Sequence, residues 1–509
     1  MTVSVNETER KYEAPADTGF AYQEYLAQLE RLPQVAGTSG PDEQRLEAEY
    51  YDSADLRLIR AGVTLRRRLG GDDAGWHLKL PAGPGTRREV RLPLGDGDTP
   101  PGELAELVQA FARGQTLRPV ARIATRRQRA VLLGRSGESL AEIAADDVSA
   151  QTMGESTTVS QWHEVEVELT GGDRRLLEAA GEMLRRDGLR RSDWSAKLEH
   201  ALGRRFIQPS PDMSGPVTAG QVILAYLRDQ ARRLISLDPM VRMHEPDSVH
   251  QMRVTTRRLR STLRSFRRVA GNAETERLAA ELRWLGRALG AARDGEVLPA
   301  HLLAELHKLP VEQNIGPVQA RIQGHFASVR READAEVMTV LSSRRYFALL
   351  DALDRLTGQP ASGPAAGSPA RDVLPAQVRR VHKKVARRMR RAWHAPPGPA
   401  RDVALHRARK AVKRLRYAAE AVTPAAGKPA RRFAKRTKRV QSVLGEHQDA
   451  VIAAQQVRQL GMSAHLAGEN AFSYGLLYER ESHGREHLQA RARQAWKKAS
   501  RPRHRRWMT

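Results

Sequence analysis

Six short segments among the first 206 residues carry charged side chains at alternating positions. Glu7, Glu9 and Lys11 follow this pattern, as do Arg66 and Arg68, and His77 and Lys79. So do Arg87, Glu89 and Arg91, then Arg122 and Arg126, then Glu164, Glu166 and Glu168. On a strand such residues share one side, and the opposite sides carry Leu65, Trp76, Leu78, Val90, Leu92, Val165, Val167 and Leu169. An antiparallel sheet with one wet face gives this pattern. Six such faces of mixed sign also fit a sheet closed into a barrel with its charge turned inward. Clustered carboxylates in the lumen would suit a hard divalent cation, and Arg and Lys would clamp phosphate oxygens. Mg2+ or Mn2+ held there would bridge phosphates and orient a water for in-line attack. Only three of the 29 basic residues in this region are lysines, namely Lys11, Lys79 and Lys197. A compact ammonium retained where arginine is otherwise the rule points to a site that needs one.

The rest of the chain offers different chemistry. At about 100° per residue, His250, Arg253, Arg257, Arg260 and Arg264 fall within a helical arc of roughly 80°. Met252, Leu259, Leu263 and Phe266 lie roughly opposite. His406, Arg409, Lys413 and Arg416 form a similar stripe, with Ala408, Val412 and Leu415 on the apolar side. The spacing predicts basic stripes unbroken by acids at i+4, suited to a polyanion. The two histidines fit either helix packing or phosphate binding through ring N–H groups, more strongly when protonated. Further basic clusters occur at 379–391 and 431–439.

The elements that must position these residues follow from composition and repeats. The chain has 509 residues, enough for two to four domains, and no cysteine, which excludes disulfides and thiolate chemistry. Its net charge of +26 is uneven: residues 1–206 carry 29 basic and 33 acidic residues, and the remainder carries 56 and 26. So basic a half implies a polyanionic partner. Mean hydropathy is −0.56. The acids in the opening residues argue against a signal peptide, and no apolar run is long enough to span a membrane, so a cytoplasmic protein is expected.

Pro/Gly-rich segments at 207–218 and 357–370 read as linkers. Before the first, strands are predicted near 3–12, 63–69, 75–81, 87–92, 119–127, 130–135, 141–148 and 162–169, with helices at 20–31 and 174–187. After it the pattern is helical. His250–Arg260 matches His406–Arg416, Gln221-Val222 matches Gln377-Val378, and Leu289-Gly290 with Asp294 matches Leu444-Gly445 with Asp449, at a nearly constant offset. This predicts a tandem duplication of a helical unit, with repeats at about 219–356 and 371–500. A basic tail, 501–509, is expected to be disordered.

Glu7-Thr-Glu9-Arg-Lys11 resembles the ExExK signature of the CYTH family, the triphosphate tunnel metalloenzymes. The ordered set that follows agrees: Tyr50-Tyr51-Asp52, Leu65-Arg-Arg-Arg68, Trp76-His-Leu-Lys79, Arg87-Arg-Glu89, Thr125-Arg-Arg127, Asp146-Asp147, Glu164-Val-Glu166-Val-Glu168 and Ser195-Ala-Lys197. The resemblance covers 1–206 and implies an eight-stranded antiparallel tunnel with flanking helices that hydrolyses a linear triphosphate with Mg2+ or Mn2+. It implies Glu7, Glu9, Glu164 and Glu166 as metal carboxylates, with Asp146 a fifth, preferred over Asp147 on strand parity. It implies Arg66, Arg68, Lys79, Arg126 and Lys197 as the phosphate clamp, with Lys11 beside the scissile phosphoryl and Lys11 and Glu9 in the catalytic roles. Ala196 departs from the family's Ser-Lys pair.

The helical half resembles the CHAD domain over 219–500, on its two His-led basic helices and two Leu-Gly…Asp segments. This implies two duplicated bundles across a basic channel that binds inorganic polyphosphate through His250, Arg253, Arg257, Arg260, His406, Arg409, Lys413 and Arg416. The α+β, multidomain chain therefore resembles bacterial CYTH–CHAD inorganic triphosphatases, with association with polyphosphate granules an expectation. Scarcity of aromatics among the basic residues disfavours single-stranded nucleic acid. The alternatives are a polyphosphate-binding or granule-targeting protein with an idle tunnel, and a hydrolase of an organic triphosphate such as thiamine triphosphate or a nucleotide.

Overall fold

The computed structural model describes residues 3–14, 22–83, 85–154, 157–203, 217–271 and 273–509. Most of the expected first linker, 207–218, lies outside them, and so does the side chain of Asp294. The chain divides into two units, Met1–Pro211 and Asp212–Thr509.

The first unit is a closed antiparallel barrel. Its strands are β1 (Val3–Glu13), β2 (Gly37–Asp52), β3 (Thr64–Leu69), β4 (Gly75–Gly83), β5 (Thr86–Leu92), β6 (Arg118–Leu133), β7 (Ser139–Thr152) and β8 (Val159–Leu169). They run in the order β5-β4-β3-β2-β6-β7-β8-β1, and the β5–β1 pairing closes the ring; a two-residue β9 (Arg190–Arg191) adds to β1. The helices are α1 (Tyr22–Leu29), α2 (Arg57–Arg60), α3 (Gly102–Ala112), α4 (Arg174–Arg186) and α5 (Lys197–Leu202).

The barrel is polar inside and partly apolar outside. Ala141, Ile143 and Ala145 of β7 and Val165 and Val167 of β8 face outward. There they pack with Leu26 and Leu29 of α1 and Leu176, Leu177, Ala180 and Leu184 of α4. The intervening residues Glu142, Asp146, Glu164 and Glu166 therefore turn inward. Near α5 the interior changes character, as Ile123, Val148 and Ala150 pack against Leu198, Ala201 and Leu202.

Two strand expectations differ from the structure. β2 is not among the expected strands, because its outer face carries Glu43, Arg45, Glu47 and Glu49 and has no apolar side chain over that stretch. The segments 119–127 and 130–135 are one strand, β6, and the charged stretch from Arg126 to Arg129 within it concealed its continuity.

The second unit is helical: α6 (Ala219–Arg242), α7 (Ser248–Ser265), α8 (Arg267–Ala270), α9 (Ala273–Leu306), α10 (Val318–Leu341) and α11 (Arg344–Gly358), then α12 (Ala370–His394), α13 (Pro399–Ala421), α14 (Thr423–Leu466) and α15 (Phe472–Ala499). The two sets meet where α7 packs on α13. They meet again where Leu302, Leu306, Ile322 and Phe326 share a core with Val457, Leu460, Tyr474 and Leu477. Among the described residues no helix is long and apolar enough to cross a membrane.

The segment 357–370 is not a free tether. Gly363 N–H donates to Val269 O at 3.1 Å, Ala365 N–H to Arg268 O at 2.9 Å, and Ala366 O accepts from Gly220 N–H at 2.9 Å. A Cβ on Gly363 would fall 2.4 Å from Val269 O, so the composition that resembled a linker allows close backbone approach instead. The tail is likewise ordered. Pro502–His504 and Arg506–Met508 form single 3-10 turns, Met508 is 1% exposed, and the Trp507 ring packs 5.9 Å from that of Phe433. Its apolar pair, Trp507-Met508, outweighs the surrounding arginines.

Candidate functional site

The barrel encloses a cavity of ≈ 330 Å3. Its wall takes alternate residues from neighbouring strands: Glu7, Glu9 and Lys11 from β1, Arg66 and Arg68 from β3, and Lys79 from β4. Arg87, Glu89 and Arg91 come from β5, Arg127 and Arg129 from β6, and Glu166 and Glu168 from β8. Lys197 enters from the first residue of α5.

At one level three carboxylates converge. Asp146, Glu164 and Glu166 each offer an oxygen, and these atoms lie within 4.8 Å of one another. Lys197 Nζ sits among them, 2.8 Å from Asp146, 2.7 Å from Glu164 and 2.7 Å from Glu166. Lys11 donates to Glu166 and lies 3.7 Å from Glu9 and 3.9 Å from Glu164. Arg127 forks onto Asp146 at 2.7 Å through both Nε and Nη2, and Nη2 also reaches Glu166 at 2.7 Å. Burial favours the neutral acid, yet Lys11, Lys197 and Arg127 hold Glu166 well below the usual carboxylate range. For Glu164, burial prevails over the two lysines and raises its pKa. Glu168, buried beside Glu7, is pushed up to about 8.

Three clustered, oxygen-only donors fit a hard divalent cation. The ammonium of Lys197 already marks a place for positive charge at their centre. Glu7 and Glu9 stand apart from that cluster on β1. Glu7 accepts from Lys79 and lies 3.3 Å from Arg91, and Glu9 keeps company with Lys11. Asp147 faces out, against His163 at 2.5 Å, while Asp146 is fully buried. Despite the intervening Ala196, Lys197 reaches the cluster; Ser195 instead bonds locally, with its Oγ donating to Glu199 at 2.7 Å.

The cationic wall is built from Arg66, Arg68, Lys79 and Arg127. Arg66 Nη1 donates to Tyr50 Oη at 3.2 Å, and its buried Nε has no partner. Lys79 lies 3.7 Å from Glu89 as well as bonding Glu7. Arg126, expected in the clamp, is a correction: its side chain is 59% exposed and pairs with Glu43 at 2.8 Å on the outer face. The inward residue is Arg127. The outer face is exposed at Arg126, so both faces carry arginine here and alternation alone could not tell them apart. Strand register settles it, since Arg127 pairs with Asp146 across β6–β7. Arg91, Arg129, Tyr50, Glu142 and Asp73 also line the cavity and were not among the expected site residues.

In the helical unit the two stripes face one another. Arg253 lies over Gly290 of α9 and Arg409 over Gly445 of α14: a Cβ on either glycine would come within 3.4 Å and 3.6 Å of the respective guanidinium. The repeated Leu-Gly thus clears room for the repeated arginine. Lys413 meets Arg253 and Arg257 from α7 and Arg409 from its own helix, opposed by Asp449. Burial, then these arginines, push its pKa down to about 6. Arg260 continues the patch with Arg264 and Arg283. His250 and His406 are half-buried, and burial lowers both; His406 Nδ1 lies 2.5 Å from Gln448 Oε1.

Arg416 departs from the expected stripe. Glu420, four residues on, binds it at 2.6 Å and reaches Arg258 at 3.3 Å, so an acid does interrupt the basic row. Tyr417, beneath Arg258 and Arg416, is buried and offers no face for base stacking.

Comparison with known proteins covers both units. The CYTH domain model matches residues 6–192 and the CHAD domain model residues 225–458. The uncharacterised protein MT2285 of Mycobacterium tuberculosis is 37% identical over 490 residues, covering 94% of this chain and 93% of its own. Among solved structures, PptA from Streptomyces chartreusis is 23% identical with a TM-score of 0.47, covering 56% of this chain and 100% of PptA. The CHAD domain from the plant Ricinus communis is 26% identical with a TM-score of 0.45, covering 55% of this chain and 92% of that domain.

Proposed function

Since the chain belongs to the family that joins a CYTH domain to a CHAD domain, we propose that its barrel hydrolyses inorganic triphosphate with Mg2+ or Mn2+ while its helical unit holds inorganic polyphosphate. The observation that carries the reading is that Glu166, clustered with the buried Asp146 and Glu164, lines one cavity with Arg66, Arg68, Lys79 and Arg127.

Glu164, Glu166 and Asp146 would hold the divalent ion, with Glu7 and Glu9 facing the same lumen. Such an ion neutralises phosphate charge and orients water. Arg66, Arg68, Lys79 and Arg127 would fix the triphosphate so that its terminal phosphorus meets water in line. Water then forms the new P–O bond, the bond to the bridging oxygen breaks, and orthophosphate and pyrophosphate leave. Lys11 would stabilise charge on the departing oxygen, and Lys197 would pass from the carboxylates to a phosphate oxygen.

In the helical unit, Arg253, Arg257, Arg260, Arg409 and Lys413 form a basic surface, and among the described residues the tyrosine beside it, Tyr417, is buried, which favours a base-free polyanion over RNA. Polyphosphate held there would place the chain on polyphosphate granules in the cell. A substrate panel of tripolyphosphate, ATP, thiamine triphosphate and long-chain polyphosphate, each with and without Mg2+ or Mn2+, tests the assignment. Preference for thiamine triphosphate or ATP over tripolyphosphate would replace it.

A further inference from the structure

The turn between β3 and β4 brings two further acids to the cavity, beside the arginines of its cationic wall. Asp73 lines the cavity, and both its carboxylate oxygens accept from Arg68 Nη1, at 2.8 and 2.6 Å. Asp72 lines it too, with Oδ2 accepting from Arg129 Nη2 at 3.5 Å. Neither acid hangs on a loose loop. His77, 1% exposed, donates from Nε2 to Asp73 O at 2.8 Å, and its Nδ1 lies 2.9 Å from Glu89 Oε1. The turn also hugs β2: Gly70 has φ 78°, and a Cβ there would fall 2.1 Å from Arg45 O.

This end of the cavity is far from neutral in its choice of ligand. Gln44, Arg129, Glu142 and Thr170 share the lining with this turn, and a neighbouring pocket bordered by Gly83, Gly85, Thr86, Ser192 and Ser195 shares Glu9, Lys11 and Arg87 with it. A phosphate chain lying along Arg66 and Arg68 would end against a fixed carboxylate that already takes one side of Arg68. The Nε of Arg68 is itself buried without a partner. Any further phosphate would bring like charge against Asp73, whose side chain is 29% exposed, with the open Asp72, 78% exposed, adding a weaker, solvent-screened repulsion.

We propose that Asp73, seconded by Asp72 and positioned by His77, is an acidic stop that restricts the tunnel to short linear polyphosphates. The inference rests on the triphosphatase reading and specifies its substrate length. Asp73 is a specificity residue, and the bond broken remains the terminal phosphoanhydride.

The test compares kcat/KM for tripolyphosphate and for long-chain polyphosphate in the full chain, in Asp73→Asn and in Asp72→Asn with Asp73→Asn. Removing the like charge should raise the long-to-short ratio by about tenfold or more, chiefly through KM for the long chain. Asp73→Glu should retain the wild-type ratio. Asp73→Ser provides a second neutral variant should the amide disturb the turn. An active wild type whose ratio is unchanged in folded neutral variants overturns this inference alone. A wild type inert on tripolyphosphate overturns the functional reading and this one with it.

Discussion

Arg127 Nη2 meets Glu166 Oε2 at 2.7 Å, a bond that reaches from β6 across β7 to β8 inside the barrel. Its neighbour Arg126 points the other way, to Glu43. The two arginines separate a lumenal role from a surface one. Arg126→Ala should leave kcat/KM on tripolyphosphate within about twofold of wild type, because exposed pairs contribute little. Arg127→Ala removes one partner of a buried network, which typically costs about 3–5 kcal/mol of stability. Arg127→Lys keeps the charge but not the fork onto Asp146, and should lose about 10- to 100-fold in kcat/KM. Steady-state kinetics with melting curves for the three variants check this.

Lys413 makes the helical unit sensitive to pH. With its pKa at about 6 it is mostly neutral above pH 7, between Arg253 and Arg257 of α7, Arg409 of α13 and Asp449 of α14. The unfolded chain binds this proton up to the ordinary lysine range, so folding stability falls as pH drops toward 6. A bound polyphosphate favours the charged form, so affinity should rise as pH falls from 8 to 6, with proton uptake on binding. Calorimetry in buffers of different ionisation enthalpy measures that uptake. Lys413→Met should abolish most of it, and Lys413→Arg should bind with a flatter pH profile.

The ordered tail gives a third expectation. Met508 is buried and Trp507 packs on Phe433, so deleting residues 501–509 should cost about 2 kcal/mol or more. That corresponds to a fall in Tm of about 3 °C or more for a unit of this size. His382, stacked on Trp496 at 5.5 Å, is held at about 4 by burial, with Arg505 adding to the effect. Without the tail it should titrate closer to its ordinary value, as NMR of the ring protons would record.

How far the sequence discloses this arrangement depends on which faces are covered. On β7 and β8 the outer face packs under helices, so apolar residues alternate with Asp146, Glu164 and Glu166, and parity distinguishes Asp146 from Asp147. On β2 and the first half of β6 the outer face meets water. Arg126 and Arg127 then look alike, and β2 leaves no strand signature. On β6, period-two reasoning therefore could not separate the inward charge from the outward one where the outer face meets water. In the helical unit the repeat was legible, and its glycines take meaning only from the arginines laid over them. The Asp72-Asp73 turn gives no sequence signal separable from an ordinary hairpin turn, because its inward aim depends on His77 and on the approach to Arg45.

The most direct measurement is phosphate release from tripolyphosphate by the full chain and by Glu166→Gln, with Mg2+ or Mn2+ and with a chelator. Release that requires the divalent ion and falls by about a hundredfold or more in the variant is the predicted result. Turnover unchanged by Glu166→Gln, or release that persists in the chelator, would contradict the account.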